Sequence, residues 1–169
     1  MKAKNYRSIR GQLYTREEYI HGAPQPRITR FTHGEERPDY DVEIKLVANE
    51  TVLVRDRALE AIRISSNKNL AKRVGSEYLL KILVYPHHVL RENKMMTGAG
   101  ADRLQEGMRR AFGKPIGRAA AVKRGQPFLI VKTYSRHVDK VREALKPAMM
   151  KFPKGARLVV EKIELAASS

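Results

Sequence analysis

Two stretches of this chain carry the same succession of patterns, strand then helix then strand, and a stretch holding six glycines separates them. In the first, residues 41–85, Val42, Ile44 and Leu46 alternate with Glu43 and Lys45, as in a strand with one buried face. Val52-Leu53-Val54 follows the Asn49-Glu50 turn signal, so the pair reads as a β-hairpin. Asp56 stands where a helix cap belongs, and Ala58, Leu59, Ile62, Leu70 and Val74 fall near one side of a helix that runs to about Arg73 and stops at Gly75. Arg63, Lys68 and Lys72 lie on its other side, facing either a polyanion or solvent. A strand over Tyr78–Tyr85 then ends at Pro86. In the second stretch, residues 126–165, a strand over Phe128–Tyr134 precedes a helix capped by Ser135 and running to about Lys151, and a strand over Leu158–Leu165 closes the unit. Val138, Val141, Leu145, Ala148, Met149 and Phe152 form its helical stripe, while Pro147 is expected to bend the helix or end it early. This order predicts an α+β fold with helices packed on a mixed or antiparallel sheet.

Charge decides what such a fold meets. The 169 residues hold 34 Lys+Arg against 18 Asp+Glu, a formal net charge of +16, and that much self-repulsion disfavours a compact state unless a polyanion neutralises it. Basic residues outnumber acidic ones by almost two to one, and no lipidation pattern accompanies them, so nucleic acid is favoured over a membrane surface. The excess is concentrated. Residues 1–16 carry Lys2, Lys4, Arg7, Arg10 and Arg16 with no acid, interleaved with Tyr6 and Tyr14, and the turn-rich continuation to Pro38 adds Arg27, Arg30 and Arg37. Residues 1–40 therefore read as a basic extended arm whose cations meet phosphates, with Tyr6, Tyr14 and Phe31 as stacking faces. Residues 86–125 read as a central Gly-rich loop, and from Arg91 to Arg124 they hold nine basic residues against three acids. Within it Ala101, Leu104, Met108 and Ala111 or Phe112 fall at helical spacing, but Gly107 costs such a helix about 1 kcal/mol against Ala, so it should form only when docked. With no cysteine there is no disulfide framework and no thiolate chemistry. Met1–Arg10 is polar and basic, unlike a secretory leader, and no run of 18 apolar residues occurs.

Catalytic patterns do not assemble. Gly107 to Lys114 places five residues between its glycines and lacks the Ser or Thr of a phosphate loop. Gly98-Ala-Gly100 begins a dinucleotide fingerprint, but Arg103 stands in the position of its third glycine. His87-His88 lacks further ligands at metal spacing, and a packed or RNA-facing histidine is the better reading. No enzyme, metal or cofactor is expected.

Three runs then bring a family into view. These are ALEAIRISSNK from Ala58 to Lys68, PHHVLRENKMM from Pro86 to Met96, and GAGADRLQEGMRRAFGKPIG from Gly98 to Gly117. Together they closely resemble the archaeal and eukaryotic large-subunit ribosomal protein family called L-ten-e, the counterpart of bacterial L-sixteen, over about Tyr6 to Lys162. The chain ends soon after its last predicted strand, as expected of an archaeal member. The resemblance implies an α/β-hammerhead-like fold, a cytoplasmic place in the large ribosomal subunit against its rRNA near the tRNA cleft, and support of A-site and P-site tRNA. It implies a central loop matching Met95–Pro115 that is ordered by its partner. Arg118 replaces a neutral polar residue of the family and reads as one more phosphate contact.

The expected rRNA-binding residues are Lys4, Tyr6, Arg7, Arg10, Arg16, Arg27, Arg30, Arg91, Lys94, Arg118, Lys123 and Arg124. The expected tRNA-facing residues are Arg103, Gln105, Arg109, Arg110 and Lys114. Neighbouring ribosomal proteins are further expected partners, and neither a membrane nor a small-molecule substrate is. Two other readings fit parts of the pattern. A free RNA- or DNA-binding regulator fits the composition but lacks a reader motif, and an enzyme on RNA or a phosphorylated substrate lacks its acid, base or metal set.

Overall fold

The computed structural model describes residues 1–96, 98 and 107–163. Eight strands and two long helices lie among them: β1 (Thr32–Gly34), β2 (Val42–Ala48), β3 (Val52–Arg55), α1 (Asp56–Val74), β4 (Tyr78–Ile82), β5 (His88–Glu92), β6 (Lys114–Val122), β7 (Pro127–Thr133), α2 (Val138–Lys151) and β8 (Ala156–Lys162). Five strands form an antiparallel sheet in the order β1-β4-β7-β2-β8, and β3-β6-β5 form a second, three-stranded antiparallel sheet. The α+β class is as the sequence predicts.

The alternation in β2 does what its period requires. Val42, Ile44 and Leu46 face the core, while Lys45 on the opposite face pairs with Glu43 at 3.2 Å and with Glu161 of β8 at 2.5 Å. The expected hairpin with β3 does not form. Strand β2 lies between β7 and β8, so both of its edges are filled, and β3 turns away at residues 49–51 to pair with β6 instead. The corner is held by the Asn49 N–H donating to the Gly155 carbonyl at 3.3 Å and the Gly125 N–H donating to the Ala48 carbonyl at 2.9 Å.

Helix α1 buries Leu59, Ile62, Leu70 and Val74, and it packs along α2 over the larger sheet. It ends as predicted, with Gly75 at φ 78° and its N–H donating to the Ala71 carbonyl at 3.2 Å. Helix α2 begins after a 3₁₀ turn at Ser135–His137, and Ser135 makes no side-chain cap; its N–H donates to Asp41 instead, at 2.8 Å. Pro147 neither ends the helix nor stops its packing. It sits on the exposed face, and Val141, Ala144, Leu145 and Ala148 keep the opposite face buried on both sides of it. Burial of Val141 and Leu145 contributes about 1.5–3 kcal/mol each, together at least what an interior proline costs.

The resemblance in order between the two strand-helix-strand stretches is not a structural duplication. In the first, the strand that leads into the helix, β3, lies in the small sheet and the strand after it, β4, in the large one, whereas the second stays within the large sheet and brackets β2. The stretch read as a loop, 86–125, is a loop only in part, because β5 and the whole of β6 lie within it and pair with each other. The first half of the expected short helix over residues 101–112 lies outside the described residues, as does the end of the last predicted strand at Leu165; residues 107–110 form a turn.

The small sheet has no solvent face. Val52, Val54, Ala120 and Val122 point into the main core, while Leu53, Leu90 and Ala119 point outward and are covered by Tyr6, Ile9 and Leu13 of the N-terminal arm. Among the described residues, no helix is long and apolar enough to cross a membrane.

The edge strand β1 makes one glycine obligatory. Gly34 has φ 89°, and a Cβ there would stand 2.0 Å from the Tyr78 carbonyl oxygen. Gly34→Ala is expected to lower stability by at least about 1–3 kcal/mol by thermal melting, and Gly22→Ala, with φ 73° and open space around it, by less.

Candidate nucleic-acid interface

The arm is fastened along its length. The Met1 ammonium lies 3.2 Å from Glu92, the Leu53 N–H donates to the Arg7 carbonyl at 2.8 Å, and the Val89 N–H donates to the Tyr14 carbonyl at 2.9 Å. In return the Tyr14 N–H donates to Nδ1 of buried His88 at 2.9 Å, with the two rings stacked. Further on, the buried Asp56 carboxylate accepts from the Arg27 N–H at 3.1 Å, so this residue ties the arm to the start of α1 rather than capping it from outside. Ile28 completes the attachment inside the core.

Arg118 departs most from its expected role. Its side chain is 3% exposed, its Nε donates to the Pro24 carbonyl at 2.7 Å, and its Nη1 is paired with Glu17. The guanidinium beside Glu17 holds that carboxyl below the usual carboxylate range. Arg118 therefore presents nothing to a phosphate and serves as a peg that holds the arm down.

What the docked arm leaves outward is a row of cations. Lys4 and Arg10 are exposed beside a groove of about 590 Å³ between the arm and β5, and Arg16 is exposed beside a second of about 290 Å³. Between the two grooves stands Arg91, with its guanidinium carbon 4.8 Å from the Tyr14 ring centroid and 3.9 Å from that of Phe112. Its Nε and Nη1 are buried and meet no acceptor among the described residues, while Phe112 and Tyr19 are more than two-thirds exposed. Arg109 and Arg110 are exposed in the turn that returns the chain to β6, and Lys114 is exposed at its first position. Lys123 and Arg124 lie exposed in the β6–β7 turn, and Arg27, Arg30 and Lys94 are exposed as well.

Other expected residues are engaged by the protein. Tyr6 is half-buried on the small sheet with the Arg55 guanidinium carbon 5.7 Å from its ring, and Phe31 packs against the main core and the Tyr85 ring. Arg7 is half-buried. On α1, Arg63 is held by Glu60, with its Nε 2.8 Å from that carboxylate, and by His33 at 2.8 Å, so it is a structural pair, whereas Lys68 and Lys72 are exposed. Arg103 and Gln105 lie outside the described residues. Among the described residues, no group of three His, Asp or Glu side chains is placed to hold a metal ion.

Nothing local in the sequence marks Arg55, Lys151, Lys154 and Arg157 as a group. Arg157 joins Arg124 at a notch beside the Asn49 corner, and Arg55, Lys151 and Lys154 gather with Arg7. Each comes from a different element, so no charge run announces them.

These features define a class: a strongly basic α+β domain that displays cations and aromatic rings on a docked arm and a small sheet, the surface chemistry of a nucleic-acid-binding protein. The family model for ribosomal protein L16p/L10e matches residues 9–159. The chain is 51% identical over 158 residues to the large ribosomal subunit protein uL16 of Saccharolobus islandicus, covering 92% of this chain and 89% of that one. It is 48% identical over 163 residues to the protein of the same name from Saccharolobus solfataricus, covering 95% and 92%. For that of Staphylothermus marinus the identity is 51% over 163 residues, covering 96% and 94%. The chain belongs to the L16p/L10e family of ribosomal proteins, a family of structural constituents rather than enzymes.

The arm's attachment has a pH signature. Burial holds His88 below the ordinary histidine value, and its Nδ1 must be unprotonated to accept from Tyr14. The neutral ring's contribution is complete above the unfolded value of about 6.5 and is lost as pH falls through the depressed folded value. Followed by NMR in the free protein, the Tyr14 amide is expected to lose protection across that acid range while core amides of β2 keep theirs.

Proposed function

We propose that this chain is a structural constituent of the large ribosomal subunit in the cytoplasm, bound to large-subunit rRNA near the tRNA cleft and supporting the positioning of A-site and P-site tRNA. The observation that carries the reading is the docked arm, which turns residues 1–16 into a fixed edge displaying Lys4, Arg10 and Arg16 beside the Arg91–Tyr14–Phe112 stack. Fixed cations suit an RNA backbone, whose phosphates sit at set spacings and are read by shape more than by base. The relatives' name supports the subunit, and the motif matching Met95–Pro115 supports the tRNA contact.

In this reading the body and arm face rRNA, with Arg27, Arg30, Lys123 and Arg124 adding contacts along other edges, and Arg109, Arg110 and Lys114 form the tRNA-facing base of the central loop. Neighbouring ribosomal proteins would meet the remaining surface. The small sheet with its arm, set against the larger helix-covered sheet, is the feature that fits the α/β-hammerhead description.

If about six to ten phosphates are neutralised, affinity for rRNA should fall by roughly 10³ to 10⁵ between 50 and 200 mM salt, measured by filter binding. A fall below tenfold would contradict a phosphate-led interface. Replacing Arg109, Arg110 and Lys114 together by Gln should leave melting of the free protein unchanged and weaken tRNA binding by subunits that carry the variant. Unchanged tRNA binding at equal melting would refute their assignment.

A further inference from the structure

A cavity of about 340 Å³ opens where three distant parts of the chain meet: the arm at Tyr6 and Arg7, the β3–α1 junction at Leu53 and Arg55, and the α2–β8 connection from Met150 to Lys154. Four cations line it, Arg7, Arg55, Lys151 and Lys154. The Nε–H groups of both Arg7 and Arg55 are buried and find no acceptor among the described residues. A desolvated guanidinium donor without an acceptor is unfavourable, and four cations from three parts of the chain gathered on one cavity repel one another until an anion joins them.

Arg55 is held in place for such a role. Its guanidinium carbon lies 5.7 Å from the Tyr6 ring, and its Nη2 lies 3.4 Å from the point where a Cβ on Gly117 would stand, so it is laid between arm and β6. Lys154 adds an independent sign. It has φ 61°, in the left-handed region where a side chain is strained, and Gly155 follows at φ 79°. That strained backbone sets an ammonium at the rim, partly offset by Glu50 at 2.7 Å. Lys151 Nζ reaches the Ala61 carbonyl at 3.3 Å and retains two further donors.

We propose that this notch is a binding site for one phosphodiester group of large-subunit rRNA, with Arg7 and Arg55 donating from the floor and Lys151 and Lys154 closing the rim. A phosphate suits it because its oxygens accept from several directions at once, as donors from three elements require. Bound there, the RNA backbone links the arm and small sheet to the end of α2. The proposal rests on the ribosomal reading and names one contact within it.

Two variants test it. Arg55→Lys keeps the charge and loses the planar guanidinium fork; Lys154→Gly removes a cation and suits the left-handed backbone, so it should melt at or above the wild-type temperature. Each full-length protein is assembled into large subunits lacking the native copy, and the rRNA backbone is probed with hydroxyl radicals. Loss of protection confined to one short stretch of rRNA, the same stretch for both variants, is expected, with the salt slope of rRNA binding reduced by about one for Lys154→Gly. A wild-type protection pattern and salt slope in Lys154→Gly would overturn the notch while leaving the ribosomal reading intact, and would leave a neighbouring protein's carboxylate as its partner. Absence of any protection by the wild-type chain would overturn both.

Discussion

The outward face of the small sheet cannot stand alone in water, and the rest of the surface follows from how it is covered. Leu53, Leu90 and Ala119 are shielded by Tyr6, Ile9 and Leu13 lying over them, with Ile116 and Ala121 beside them. Hydrophobic burial sets the position of the arm, and the backbone bonds from Leu53 and Val89 to arm carbonyls set its register. An arm with five cations and no acid in its first sixteen residues would otherwise be driven outward by its own charge. Apolar residues at every third or fourth position hold it down, and Lys4, Arg10 and Arg16 are left exposed.

Burial and charge divide the arginines into two populations. Arg118 and Arg63 have carboxylate or carbonyl partners within the chain and act as pegs. Arg7, Arg55 and Arg91 are packed against rings or backbone, yet keep buried donors that no described residue meets. Such donors are costly in an isolated protein and become favourable once an anion arrives, which ties the energetics of this fold to its partner.

The parts of the fold legible in the sequence are those with local causes. The β2 alternation fixes which face is buried, and Gly75 fixes the end of α1, because period and backbone freedom act within a few residues. Pairing partners act at a distance, so the Asn49-Glu50 signal misled: nothing local says that β7 and β8 already flank β2. Strand β6 was hidden for a different reason. Gly117 and Ala119-Ala120-Ala121 lack the branched and aromatic residues that mark a strand, and small residues stand there because arm and core press on both faces. Charge marks the arm and the exposed turns as cationic, but composition cannot tell a displayed arginine from a buried one such as Arg118. The notch cations were invisible because they converge only in three dimensions.

If the arm is docked on the small sheet before any RNA is present, amide hydrogen exchange on the free protein will show it. With the arm docked, the Leu53 and Val89 amides, whose acceptors are the Arg7 and Tyr14 carbonyls, should exchange as slowly as the amides of β2. Exchange at those two amides as fast as in an unfolded chain, with β2 still protected, would mean that the arm is free in solution and that RNA, not the small sheet, puts it in place.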